Sequence, residues 1–501
     1  MIKKIFIIVF ASTLGIISCD DYLDINEDPN SPTEDNVNSS MIFPGVEMNL
    51  AASYGDFLRI VGGYFSQHYA QSFGTSNYLD YSQFSMSATR SSSTYTQLST
   101  RCLRNLQTIL EQSAAAEEWG TFLAATVLRV FIYQILVDSY GEIPYTEGLD
   151  IDNLTPNYDD GFTIYQGIFI ELEEALSNVS SSDIICTNFL FESTSVDNWI
   201  KLANALELKI LMRMSNVQDV QSELSVLIDR NNFPTTDIAW EGIWSNESGK
   251  ANPFYQEEFA TYFGSTQVNI VANIALIETM RAGNDLLRLS KFFNTNEDGE
   301  YMGGVSGTNF STAASQGYGS GSFCRPVASF DMPVYLITQT EIEFFLSEYY
   351  ARYGSNTEEA ETHYRNAIEA SFKTAGLDTQ DAVDIYTNYY PWNITTYREL
   401  IGLQKWIALS GINNFEAWCE LRRLKYPEFS KISGEDIYDE STGTFKESEY
   451  EAGYLYTPIL VNSQLGSNKV LQRFRYPESS TNRNSNAPAN KNDDAPVFWA
   501  E

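Results

Sequence analysis

The sequence predicts a mostly α fold built from helical hairpins, with long irregular insertions and little β structure. Three observations carry that expectation. Apolar residues recur every three or four positions in paired stretches, the spacing of one face of a helix. Glycine, asparagine or proline splits the two members of each pair. Between pairs lie polar, aromatic-rich segments with no sustained period.

In chain order, Lys3 and Lys4 precede an apolar run over residues 5–17. At 1.5 Å per residue that run covers roughly 20 Å, short of the ~30 Å hydrocarbon core of a bilayer. Residues 1–18 therefore read as a secretory leader and not as a membrane span. Ile16-Ile17-Ser18-Cys19 resembles a bacterial lipobox, in which the cysteine thiol is acylated and becomes the new N-terminus. The plainer alternative is a signal peptide that ends near a cysteine. Residues 19–40 are acidic and proline-bearing, without helical periodicity, and read as a tether between lipid and globular body. The body is expected over residues 41–501 as one domain.

The first helix is expected over residues 41–71, with Phe57, Ile60, Val61, Tyr64 and His68 on its apolar stripe. His68 there is expected to be hydrogen-bonded and half-buried, with no catalytic role. Residues 74–93 read as a loop. A first pair combines Leu103, Leu106 and Leu110 with a run from Trp119 to Val137 that is apolar on several faces, hence an enclosed central helix. A second joins Ile164, Ile168, Leu172 and Leu176 to Trp199, Leu202, Leu206 and Ile210. The third runs from Ile342 to Tyr353, breaks at Gly354, and resumes through Ala360, Tyr364 and Ile368, with Asn356 and Glu359 spaced as a capping box. The fourth holds Tyr397 to Leu409 and Phe415 to Leu424, split by Gly411 and closed by Pro427. Each helix has a face it cannot bury alone, so neighbouring hairpins must stack.

The charge balance excludes several functions. The chain has 31 basic and 66 acidic side chains, a net charge of −35. Such a surface repels phosphate backbones, so no nucleic-acid partner is expected. It also argues against docking on anionic lipid through a basic patch. Besides Cys19 the cysteines are Cys102, Cys186, Cys324 and Cys419, with no CxxC pair for zinc. Disulfides are permitted in an exported chain, but buried free thiols suit one this large. With two histidines, a His-rich metal site or a Ser–His relay has little material. No cofactor is expected. Residues 296–300 (Asn-Glu-Asp-Gly-Glu) hint at a calcium loop but lack its full ligand spacing, which leaves at most an incidental Ca²⁺.

Aromatics are in excess at 14% of the chain. Flat rings with a few amide or hydroxyl groups suit oligosaccharides and extended peptides alike. The candidates standing in polar loops, off any helical stripe, are Tyr78, Tyr81, Trp244, Asn246, Tyr301, Tyr318 and Trp392. Trp406 and Trp418 lie on apolar helix faces and are assigned to the core, while Arg422 and Arg423 close a helix against its dipole. No short motif singles out two of the many carboxylates as a catalytic pair, so no catalytic residue is assigned.

Several segments together are similar to the SusD/RagB family of outer-membrane lipoproteins of Bacteroidetes. Cys19-Asp20-Asp21-Tyr22-Leu23-Asp24-Ile25-Asn26 resembles its opening. Asp138-Ser139-Tyr140-Gly141-Glu142-Ile143-Pro144-Tyr145 resembles its D-x-Y-G-D-I-P-Y turn, with Glu142 for Asp. Trp199-Ile200-Lys201-Leu202-Ala203-Asn204 resembles its W-x-K-F-A-N helix, and Asn284-Asp285-Leu286-Leu287-Arg288-Leu289 an N-D-P-R-L element without the proline. Thr338 to Glu348, the segment from Gln404 to Pro427, and Arg475-Tyr476-Pro477-Glu478 complete the match. The resemblance implies a SusD-like fold with four tetratricopeptide-like hairpins and a loop-built ligand face. It implies an outer-membrane location, lipid-anchored through Cys19 and facing outward, and a SusC-like TonB-dependent barrel as partner. The function implied is capture of an oligosaccharide or peptide without chemistry. A helical-repeat interaction scaffold is the alternative, with a surface glycoside hydrolase behind it.

Overall fold

A computed structural model describes residues 38–261, 267–308, 317–354 and 357–500. The leader, Cys19 and the tether up to residue 37 lie outside the described residues, as does Asn356 of the expected capping box.

The first helix begins two residues before the expected boundary. Asn38 accepts a hydrogen bond from the Met41 N–H, and helix α1 runs Ser39–Ser53. It continues through a π-helical turn, Tyr54–Leu58, into α2, Arg59–Phe65. It does not reach residue 71: the chain turns and forms strand β1, Tyr69–Gln71. His68 therefore lies in the turn after the helix and is fully buried, not half-buried. Its Nε2 donates to the Trp406 carbonyl at 2.9 Å, and burial lowers its pKa to about 3, so the imidazole is neutral. Residues 74–93 are also less irregular than expected, with a helical turn at Leu79–Ser82.

The four hairpins form where the apolar spacing places them. The first is α3, Arg104–Ala115, with α4, Trp119–Tyr140. α4 is long and apolar enough to cross a membrane, with a mean hydropathy of 1.7 in its best window, yet that window is 89% buried inside the protein. It is the enclosed helix its sequence predicts. Gly141 ends it at φ +86°, a conformation that favours glycine. The second hairpin is α5, Gly161–Asn178, with α6, Asp197–Met214, followed by α7, Gln221–Arg230.

Strand β2, Ile238–Trp240, and the short helix α8, Pro253–Glu258, come next. Strand β3, Ile270–Ala272, helices α9, Ile274–Ala282, and α10, Leu286–Phe292, and strand β4, Val334–Ile337, complete the middle of the chain. β1 pairs with β3 and β2 with β4, both antiparallel. The third hairpin is α11, Gln339–Tyr353, with α12, Thr357–Thr374; the fourth is α13, Tyr397–Ala408, with α14, Asn414–Leu424. A full capping box starts α11: Thr338 accepts from the Glu341 N–H, and Glu341 accepts from the Thr338 N–H.

Hairpins one, two and four and the first helix of hairpin three, through Ile342, Phe345 and Leu346, share the main apolar core with α1 and α2, which includes Trp199, Trp406 and Trp418. A smaller core joins α11, α12 and α13 through Phe344, Tyr364, Ile368 and Ile401. Where α2 meets the start of α14, a Cβ on Gly62 would sit 2.5 Å from Asn414 backbone, so only glycine permits this approach. Cys102, Cys186, Cys324 and Cys419 are free thiols.

A charged layer runs through the helices. Lys209 pairs with Glu341 at 3.0 Å and Glu416 at 3.3 Å, and Arg213 pairs with Glu416 at 2.6 Å and with Asp138. Lys405 pairs with Glu420 at 2.9 Å, and Arg423 bridges Glu420 and Glu348. All of these side chains are at most 3% exposed. Arg422 and Arg423 thus do more than oppose a helix dipole. Arg422 lies 3.5 Å from the Trp418 ring centroid and donates to the Asp138 and Gln472 carbonyls. The tail closes over this layer, with Trp499 donating to Asp138 at 2.8 Å.

Candidate functional site

The β1–β3 ribbon gathers several loops on one face. Cys324 O accepts from the Ala272 N–H at 2.7 Å, and Gly304 O from Ile274 at 3.0 Å, so segments 293–308 and 317–333 are tied to β3. Segment 72–91 leaves β1 directly. Gln71 in β1 accepts from the Tyr78 N–H at 2.8 Å, which fixes where that loop turns back.

Tyr78 and Tyr81 are brought together. Their rings stack at 5.5 Å and 12°. Arg90 covers the Tyr81 ring at 5.1 Å and is itself held by Asp80 at 2.9 Å. Tyr81 is 2% exposed and backs the wall, whereas Tyr78 is half-buried. The Tyr78 hydroxyl donates to Glu258 at 2.5 Å. Burial and the Glu258 charge raise the Tyr78 pKa, so the phenol stays protonated and donates.

Tyr318 joins the same face through a cluster with Phe73, Phe323 and Phe445, at ring distances of 5.9, 5.9 and 5.2 Å. Tyr301 is half-buried nearby, next to the Met302 N–H that meets Cys324 Sγ at 3.2 Å. Trp244 and Asn246 stand beyond the other end of α8. Trp244 donates to the Trp240 carbonyl at 3.0 Å, and Asn246 is exposed in the turn before Asn252, which caps α8. Trp392 does not join this face. It packs on Tyr364 at 5.1 Å in the smaller core between the third and fourth hairpins.

Three acidic residues on this face escape sequence reading. Asp56 sits in the π-helical turn, against which α8 packs; a Cβ on Gly55 would meet the Pro253 ring at 3.5 Å. Burial first, then the charges of Glu257 and Glu258, push the Asp56 pKa up to about 8. Its Oδ1 is covered from solvent and has no hydrogen-bond partner. Glu258 is 2% exposed, and burial also raises its pKa against the hydrogen bonds from Tyr78 and Asn269. Nothing in the local sequence distinguishes these three from the other acidic residues.

A large cavity lies elsewhere. It measures about 1180 Å³ and opens beside Asn38, between the α3–α4 turn and residues 182–194. Glu117, Glu118, Asp183 and Glu192 line it without a basic side chain. Glu47 fastens its wall by accepting from the Phe189 and Leu190 N–H groups at 2.7 and 2.9 Å. Residues 296–300 form a turn in which Asn296 accepts from the Asp298 and Glu300 N–H groups. Among the described residues no group of three or more His, Cys, Asp or Glu side chains is placed to hold a metal ion.

Stacked helical hairpins carrying an aromatic, loop-built face define a binding protein of the helical-repeat class. Its family follows from comparison. The model of the SusD-like family described as "Starch-binding associating with outer membrane" matches residues 31–442, and the chain belongs to that family. Solved structures share the fold. A SusD homologue from Bacteroides uniformis aligns at a TM-score of 0.70 with 21% identity, covering 91% of this chain and 98% of its own. A chitin-binding protein aligns at 0.72 with 19% identity, covering 93% and 100%. A SusD homologue from Bacteroides fragilis aligns at 0.67 with 19% identity, covering 93% and 99%. No curated protein sequence matches.

Proposed function

We propose that this protein is a cell-surface lipoprotein that captures an oligosaccharide, or a peptide, and hands it unchanged to a SusC-like TonB-dependent barrel. An acylated Cys19 holds it at the outer membrane on the extracellular side. The observation that carries the reading is the loop face at the β1–β3 ribbon, where half-buried Tyr78 and Tyr318 are braced from behind by buried rings. A braced ring loses little freedom when a sugar face stacks on it, so more of the contact appears as affinity. Membership of a family described as starch-binding favours a glycan over a peptide.

Calorimetry of the soluble body against glycan and peptide pools, with product analysis, tests this. Binding without turnover is expected; cleavage of the bound ligand would reassign the face to a hydrolase. Tyr78→Ala is expected to weaken binding about tenfold or more and also to lower Tm, because the Tyr78 hydroxyl is a donor to the buried Glu258. Tyr81→Ala is expected to cost roughly 2–4 kcal/mol of stability, because that ring is buried. A pull-down from outer membranes is expected to recover a large barrel protein.

A further inference from the structure

A cavity of about 10 Å³ lies where the start of α2 meets β4 and the turn into α14. Tyr54, Arg59, Tyr335 and Asn413 are among the residues lining it, and among the described residues no carboxylate does. In a chain with 66 acidic side chains, Arg59 is a buried cation left without a counter-charge. It is 5% exposed, and its guanidinium rests on the Phe254 ring at 4.5 Å. The Nε–H is shielded from water and has no acceptor, and among the described residues no carboxylate forms an ion pair with Arg59. Its far end reaches the turn before α14, where a Cβ on Gly411 would stand 3.8 Å from Nη2. Asp56, three residues earlier, does not answer it: its own Oδ1 also lacks a partner.

Asn413 brings a second donor to the same cavity. Its Oδ1 accepts from the Tyr54 hydroxyl at 2.8 Å and from the Glu416 N–H at 3.3 Å, which fixes the amide and leaves Nδ2 over. Asn413 is 3% exposed, and Nδ2 has no acceptor. Asn413 also caps α14, an 11-residue helix whose N-terminal end adds positive potential at this point. Tyr335 contributes a phenol whose pKa burial, with the charges of Asp237 and Glu241, pushes up to about 12, so it stays protonated.

The unpaired groups here are donors, so the missing partner is an acceptor. Leaving buried donors unmatched is costly, and a guanidinium bonds a charged acceptor about twice as strongly as a neutral one. That selects an anion over a water. Size selects among anions. A cavity of this volume holds roughly one water-sized sphere, which admits a monatomic halide and excludes a phosphate, a sulfate or an acidic sugar.

We infer that this cavity is a halide site, filled by chloride in ordinary media, in which the Arg59 guanidinium and the Asn413 amide hold the ion between α2, α14 and β4. The ion neutralises Arg59 and joins elements that are far apart in the chain. Its role is structural and does not depend on what the loop face binds. An ion that binds the folded chain alone stabilises it by mass action, so stability follows the halide concentration.

The test is thermal unfolding of the purified protein at pH 7, with sodium chloride exchanged stepwise for sodium gluconate, whose anion is too large for the cavity. Ionic strength is held constant, because screening by itself relieves the self-repulsion of a chain with a net charge of −35. Chloride and bromide are expected to raise Tm over gluconate by roughly 1–3 °C and then to level off. A bromide-soaked crystal is expected to show an anomalous peak between Arg59 and Asn413. Asn413→Asp puts a carboxylate oxygen where Nδ2 stands and remains a good helix cap. This variant is expected to fold, to lose the halide dependence and to match the chloride-saturated wild type. Arg59→Met, which keeps a stem on the Phe254 ring without the charge, is expected to lose the dependence too. Equal Tm in chloride and gluconate, or a wild-type cavity without bromide, would overturn the inference and leave a water there. A halide dependence that persists in Asn413→Asp would overturn it as well, by placing the ion elsewhere.

Discussion

Glu207 on α6 carries a carboxyl that burial, together with the hydrogen bond and charge of Glu173, raises to about 9. Two carboxylates cannot hydrogen-bond each other unless one holds a proton, so Glu207 donates to Glu173 while Arg230 bridges both at 3.1 and 2.7 Å. In the unfolded chain Glu207 titrates near 4.5. Between those values the folded protein keeps a proton that the unfolded chain has released, so this group's stabilisation is complete below about 4.5 and is lost as pH rises towards 9. Glu207→Gln keeps a donor and removes the titration. The variant is expected to match the wild type near pH 4 and to exceed it above pH 8. The gain is roughly 1–2 kcal/mol, discounted because Glu173 and Arg230 are partly exposed. Urea unfolding at both pH values checks it, and a constant gap would refute the shared proton. Side chains of one type diverge at this scale, and sequence is weakest here. Tyr78 and Tyr81 stand three residues apart in one polar loop, yet Arg90 buries one of them. Asp56 is set apart from other aspartates by a turn of backbone and by a helix some two hundred residues later.

Helices were legible because their evidence is local: each stripe repeats within its own residues and each stop is a nearby glycine, asparagine or proline. The strands left no such trace. β1 and β3 have three residues each, buried at every position, so no alternation marks them, and Tyr69 pairs with Ala272 far along the chain. The charged layer was also hidden, because Lys209, Arg213, Glu416 and Glu420 look like ordinary surface letters on amphipathic helices. In the fold they join α6 to α14. Burial alone would raise the Glu420 carboxyl, but Arg423, Lys405 and Arg213 more than offset it and hold it well below the usual range. Breaking such a layer leaves an uncompensated buried cation. Glu416→Gln, which strips charge from both Lys209 and Arg213, is expected to cost about 3–5 kcal/mol. Glu247→Gln, which removes the exposed partner of Lys250, is expected to change stability by less than about 0.5 kcal/mol. Denaturant midpoints distinguish the two, and similar effects would mean that the layer is wet.

At the scale of the whole molecule, charge and anchor are one problem. Without Lys3 and Lys4 the chain has 29 basic against 66 acidic side chains, so the body is repelled by an anionic membrane face. Among the described residues the one helix apolar enough to span a bilayer is packed inside the body. On the reading proposed above, attachment comes from elsewhere, through an acylated Cys19 that follows an apolar leader. Each buried CH₂ of an acyl chain contributes about 0.8 kcal/mol, and one chain gives marginal binding where two or more hold firmly. Cys19→Ser is therefore expected to abolish palmitate labelling and move the protein out of the membrane fraction. The Tm of the body is expected to stay unchanged, since its core begins at Phe43 and owes nothing to the lipid. Raising the salt concentration is expected to leave the wild type attached, because screening weakens repulsion and does not touch a hydrophobic anchor. Release of the wild type by salt alone would show that a charged partner, and not an acyl chain, holds it.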